Sequence, residues 1–134
     1  MSAINPTSAA TRTLLSVVEL GGYPNFESLY RSLGFEPLVV HSVRKAQTTL
    51  KRERPRVVVA EFNVDPNFRD RIGNLESLLA SVQHVEGTQV LVFYDREHEA
   101  LLARLRERFP IAAALPYPIQ AAALEATLKQ LGGR

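Results

Sequence analysis

The chain has 134 residues, enough for one domain with a sizeable core and too few for two. Sixteen Lys and Arg against fourteen Asp and Glu leave a formal charge of +2, far from the dense positive field of a dedicated DNA-binding module. There is no cysteine, which excludes a disulfide framework, a thiolate nucleophile and a Cys-based metal centre.

Met1–Arg12 has no apolar core of the kind a secretory signal needs and reads as a flexible leader, leaving 13–134 as a single domain. The first apolar run is Leu14–Val18, a strand that ends in Glu19-Leu20 and the turn-forming Gly21-Gly22. Phe26, Leu29, Tyr30 and Leu33 then recur at helical spacing before Gly34. Pro37–Val40 is a second strand. Val43, Ala46, Gln47 and Leu50 mark a second helix, with Ser42 as N-cap and Pro55 beyond its end. Val57–Ala60 is a third strand that runs into Glu61, Phe62 and Asn63. The longest loop, 62–73, follows it and holds Asp65, Pro66, Asn67 and Gly73. Leu75, Leu78, Leu79 and Val82 mark a third helix, with Asn74 placed to cap it. Val90–Tyr94 is the fourth strand, and Leu101, Leu102, Leu105 and Phe109 mark a helix that Pro110 stops. The Ala-rich run Ile111–Leu115 is a weaker strand, leading to Pro116-Tyr117-Pro118. Ala121, Leu124, Leu128 and Leu131 form the last helix, closed by Gly132-Gly133.

None of the strands alternates apolar with polar, so each is expected to be covered on both faces, as parallel strands between helical layers are. Five alternations of strand and helix predict a three-layer α/β/α sandwich with a parallel sheet and right-handed crossovers. No apolar run approaches the roughly 20 residues of a membrane span, and a cytoplasmic location is expected.

In such a sheet, function gathers beyond the carboxyl ends of the strands. Those ends carry Glu19-Leu20, Glu61-Phe62-Asn63, Tyr94-Asp95 and Pro116-Tyr117-Pro118. With Leu29–Phe35 closing in Leu-Gly-Phe, Gly73-Asn74-Leu75-Glu76, and Leu124-Glu125 to Leu131-Gly132, they make Thr13–Leu131 resemble a response-regulator receiver domain of the CheY-like type. The resemblance implies a flavodoxin-like fold of strand order 2-1-3-4-5, two helices on one face and three on the other, and a cis Tyr117–Pro118 bond. It also implies a phosphorylation site in which an acidic pair holds magnesium, an Asp accepts phosphate, and a Thr or Ser and a Lys complete the pocket. Here those places fall on Glu19 and Leu20, on Glu61, on Tyr94 and on Tyr117, with Pro118 kept.

The departures decide the chemistry. Leu20 removes one metal-holding acid, Glu61 is a methylene longer than the acceptor, Tyr94 replaces a small hydroxyl, and Tyr117 replaces an ammonium by an uncharged phenol. Four such changes argue against phosphoryl transfer. The expected arrangement is a pocket filled from within, Glu61 accepting hydrogen bonds from Tyr117, Tyr94 or loop amides. Glu19 and Glu61 could share a cation with help from the Asn63 carbonyl, but magnesium usually takes more oxygen ligands, so no metal and no cofactor is expected.

His41, His84 and His98 are too widely separated for a metal motif or a triad, and Gly21-Gly22 lies in no phosphate-loop motif. Arg44, Lys45, Lys51, Arg52, Arg54 and Arg56 against Glu53 make the sharpest charge feature, read as a solvated helix face or a docking site for an acidic partner. Without interleaved aromatics it disfavours nucleic acid. Arg96, Arg104, Arg106 and Arg108, on or beside the fourth helix, are the candidate interaction surface, since receivers commonly pair through the fourth helix, fifth strand and fifth helix. The reading is a non-enzymatic, phosphorylation-independent receiver-like module that binds a protein partner or itself. The chain ends just after its last helix, so action in trans is expected. A phosphorylatable receiver, using Glu61 or Asp65, and a flavodoxin-like nucleotide or flavin binder are the alternatives.

Overall fold

The computed structural model describes residues 12–64 and 74–132. Its elements, in chain order, are β1 (Thr13–Val17), α1 (Glu27–Ser32), β2 (Glu36–Val40), α2 (Val43–Glu53), β3 (Val57–Phe62) and α3 (Leu75–Val82). Then come β4 (Gln89–Tyr94), a 3-10 turn over Arg96–His98, α4 (Glu99–Arg108), β5 (Ala113–Pro116) and α5 (Ala121–Gln130). The strands form one sheet in the order β2-β1-β3-β4-β5, with every pairing parallel.

The pleat divides the core into two layers, because successive residues of a strand point to opposite faces. Leu15, Val58, Ala60 and Val92 face α2, α3 and α4, where they meet Leu50, Leu78, Leu79 and Leu105. Leu14, Val57, Val59, Leu91 and Phe93 face α1 and α5 and meet Tyr30, Leu124 and Leu128. Three helices therefore lie on one face and two on the other, as expected. Burial on both faces holds for β1 and β3, which are buried throughout. It fails at β2 and β5, because these are the sheet edges: Glu36 and Val39 are exposed and all of β5 is half-buried.

Local signals act largely as expected. The Ser42 side chain accepts from the Lys45 amide and caps α2. Arg54, in the left-handed region at φ 47°, ends that helix before Pro55. The exception is Asn74, whose side chain makes no cap bond to α3 and instead donates to Glu19 Oε2 at 3.2 Å. The expected loop residues Asp65, Pro66, Asn67 and Gly73, and Gly133, lie outside the described residues.

Arg12, expected to end a flexible leader, belongs to the folded unit. Its guanidinium donates to Leu33 O and Gly34 O at the end of α1 and to Gly132 O at 2.6 Å beyond α5. One cation thus satisfies carbonyls that two helices leave unpaired, at the negative ends of both dipoles. It also lies over the Phe35 ring, 4.9 Å from the centroid. Arg12→Ala should lower unfolding free energy by about 1–3 kcal/mol in urea denaturation, with the midpoint falling at constant slope.

Candidate functional site

The strand β3 runs two residues past its apolar run, and this places Glu61 inside the sheet, in register with Phe93 of β4. By the two-residue period Glu61 shares a face with Val57 and Val59, under the loop that joins β1 to α1. The side chain is 1% exposed. Its Oε2 accepts from the Glu19 amide at 3.1 Å, the Gly21 amide at 3.2 Å and the Tyr23 hydroxyl at 2.6 Å. Its Oε1 accepts from the Leu20 amide at 2.9 Å and from Asn63 Nδ2 at 3.1 Å.

Every partner is a donor, and an ionised carboxylate is an acceptor only, so the two are complementary. Three successive amides converging on one anion form a backbone nest. The nest needs a turn that ordinary residues resist: Gly21 and Gly22 have φ of 69° and 88°. An unpaired charge at this depth would cost several kcal/mol, and five hydrogen bonds offset that desolvation.

The aromatic residues close the same space. The Tyr23 ring meets Phe93 edge-on at 5.0 Å and stacks beside Tyr117 at 6.2 Å and Phe26 at 6.5 Å. Burial, then the bond to Glu61 and its negative charge, push the Tyr23 phenol far above its ordinary range. Burial raises Tyr117 and Tyr30 as well, helped by the charges of Glu61 and Asp95 at Tyr117 and of Glu27 at Tyr30. Outside this cluster a cleft of about 510 Å³ opens, lined by Gly21, Gly22, Tyr23, Pro24, Tyr117, Pro118 and Ile119.

The expected site residues are therefore only partly together. Glu61 and Asn63 meet, with Asn63 donating through its side-chain amide rather than offering a carbonyl to a cation. Glu19 and Leu20 contribute backbone amides. The Leu20 side chain is 77% exposed, and the Glu19 carboxylate accepts from Asn74. Tyr94 is not in the pocket: it pairs in register with Phe62, so the pleat sends it to the α4 face, where its hydroxyl donates to Glu99 at 3.3 Å. Tyr117 walls the cluster through its ring and makes no hydrogen bond to Glu61, and the Tyr117–Pro118 bond is cis. Tyr23, the strongest side-chain partner, was missed by sequence reasoning. Its signal was an aromatic hydroxyl two residues after a glycine pair, at the strand end nearest Glu61.

Magnesium of the kind the resemblance implies does not fit these residues. All the surroundings of the Glu61 oxygens are N–H or O–H donors, an environment built for an anion, and Leu20 supplies no ligand. Among the described residues no group of three His, Asp or Glu side chains converges on a common point.

The candidate cations at α4 have mixed duties. Arg106 donates to Ile111 O at 2.9 Å, and Arg108 pairs with Glu76 at 2.7 Å while lying over Phe109. Arg96 and Arg104 are exposed.

No protein-family model matches the chain, and no curated protein matches it. Solved structures do. A response regulator from Thermotoga maritima superposes with a TM-score of 0.72 at 17% identity, covering 90% of this chain and 97% of that one. A response regulator receiver protein from Sinorhizobium medicae gives 0.65 at 21% identity, covering 89% and 91%. The chemotaxis protein CheY4 of Vibrio cholerae gives 0.66 at 13% identity, covering 90% and 98%. The chain has the flavodoxin-like, CheY-like fold of response-regulator receiver domains. Within that fold, the strand-end position on β3 carries a glutamate held by the loop that joins β1 to α1.

Two outcomes follow from this geometry. Glu61→Asp retains the charge but withdraws the carboxylate by about 1.5 Å, the length of one C–C bond, out of reach of the nest. It should cost about 2–3 kcal/mol in chemical denaturation, and Glu61→Gln, which turns an NH₂ donor toward amide donors, at least as much. Tyrosine ionisation reports the same lock. A phenol raised on folding adds stability that is complete below about pH 10, its unfolded value, and is lost as pH climbs above it. Stability should thus be flat at neutral pH and fall above about pH 10, and Tyr23→Phe should soften that fall. In a tyrosinate absorbance titration of the native protein, Tyr94 should ionise first, since it alone lies outside the buried cluster.

Proposed function

We propose that this chain is a receiver-fold signalling module that works without phosphoryl transfer at β3, in the cytoplasm, by binding another protein or a second copy of itself. The observation that carries the reading is the Glu61 carboxylate, buried and committed to five donors. Phosphoryl transfer to a carboxylate needs an acceptor oxygen open for in-line attack, a metal ion to neutralise the developing charge, and a cation beside the transferring group. Glu61 has no free face, the metal-binding acid is replaced at Leu20, and a phenol stands at Tyr117. A module of this kind is no enzyme and needs no cofactor.

The likeness to solved receivers supports a signalling role, and no helix among the described residues is long and apolar enough to cross a membrane. Arg96, Arg104 and Arg106, exposed on or beside α4, have charge to offer a partner, whereas Arg108 is paired with Glu76. Incubation with acetyl phosphate and magnesium, followed by intact-mass measurement, tests the reading. The expected spectrum is unmodified protein. A gain of one phosphoryl group, mapped to Glu61 or Asp65, would establish a working phosphorelay receiver instead.

A further inference from the structure

The helix α2 carries a charge pattern that its own stability does not explain. Its buried side is Val43, Ala46, Thr49 and Leu50. Its exposed residues are Arg44, Lys45, Thr48, Lys51 and Arg52. At 100° per residue these five fill one continuous arc of about 120°, with Thr48 at its centre and cations on both sides. Arg54, exposed at the C-cap, adds a cation at the helix end, whereas the Arg56 guanidinium lies against Gly132 beyond α5. Among the described residues the ion pair made by this group is Arg52 with Glu53, at 3.1 Å and open to solvent.

Lys51 and Arg52 sit in the last turn, where the helix dipole favours cations. Arg44 and Lys45 sit in the first turn, where it disfavours them, and no acid stands there. Half of the stripe therefore opposes the local electrostatics of the helix. Positions 44–56 hold +5 of a chain whose total is +2, so the rest of the protein is net −3. Four of the sixteen cations share this one helix face.

We infer that the solvent face of α2, with Arg54 at its end, is a docking surface for an acidic protein segment. This rests on the partner-binding reading above and adds a second face to it, on the three-helix side of the sheet. The stripe is about 12 Å long, the reach of two to three turns of a facing helix. It offers charge and little else: no aromatic ring stands on it to stack a base, and the nearby amide of Gln47 is bonded to Ser77 and Ser81. Thr48 donates its hydroxyl to Arg44 O. A short, purely cationic face suits carboxylates at helical spacing better than a nucleic acid, which draws affinity from a longer track of phosphates.

The probe is a fluorescein-labelled Glu-rich helical peptide of about three turns, titrated by anisotropy against the intact chain at low salt and at about 0.15 M. Binding should weaken with salt. Lys45→Glu and Lys51→Glu should each reduce affinity about fivefold or more, while Arg31→Glu, the same charge change on the opposite face of the sheet, should change it less than twofold. Circular dichroism confirms that each variant is folded. An equal loss in Arg31→Glu, tighter binding of a mixed-sequence DNA duplex at matched salt, or no peptide binding would overturn the inference. None of these outcomes bears on whether Glu61 accepts phosphate, which the mass measurement decides separately.

Discussion

The hydrogen bonds between Glu61 and the amides of Glu19, Leu20 and Gly21 join the third strand to the loop after the first, and the rest of the site is arranged around that joint. An anion buried beneath a loop dictates the loop's backbone, because each amide must point inward for the charge to be tolerated. The glycines at 21 and 22 make the turn, Tyr23 reaches back to the same carboxylate, and α1 begins four residues later. Remove the anion and three inward-pointing amides lose their acceptor at once. Stability and architecture at this end of the sheet are therefore one matter, and a site of this kind is held rigid by the charge it encloses.

The two faces of the sheet explain which side chains can take part. Glu61 and Phe93 lie on the α1/α5 side, and Phe62 and Tyr94 lie on the other. Tyr23 and Tyr117 come from loops on the Glu61 side, so they can wall its cluster. Tyr94 cannot, and it serves the opposite layer by bonding to Glu99 beside α4. In the receiver fold the strand-end positions act together through a bound ion and a phosphoryl group. Here Tyr94 lies on the face away from Glu61 and Tyr117, with its hydroxyl on Glu99. That division supports the proposal of a silent pocket independently of the identity of residue 61.

Much of this was legible in the sequence. Continuous apolar runs separated by helical periods mark the five strands and five α-helices, the strand order followed from the resemblance, and Ser42 caps its helix as its position suggested. The expectation that loop amides would satisfy Glu61 also holds. What the sequence hid were facts of relative orientation. Tyr94 ends the apolar run and looks like a pocket residue, but one step along a strand reverses the face. Asn74 has the chemistry of a cap and spends it on Glu19 instead. Arg12 precedes the first apolar run and looks like a leader residue. Its role exists only once α1 and α5 end side by side, at residues distant in sequence. Tyr23 belongs to the same class, a residue whose partner is set by where its loop meets the end of β3.

A domain that switches must have two states whose energies an input can reorder, and the input must bind one of them better. On the proposed reading, an acceptor enclosed by five donors offers no such difference to phosphate, because an incoming group must first displace them. On the proposed reading, specificity must then reside on surfaces, where charge can be arranged freely because it does not support the core. The α2 stripe has this property. Its cations lie opposite the helix's buried side and can change sign without touching a packed residue. The Glu61 cluster lies on the far side of the sheet from α2, so each can be altered while the other is kept. On that reading the buried joint at Glu61 ties the third strand to the loop after the first, and a surface carried on elements already ordered in this way costs less to present to a partner.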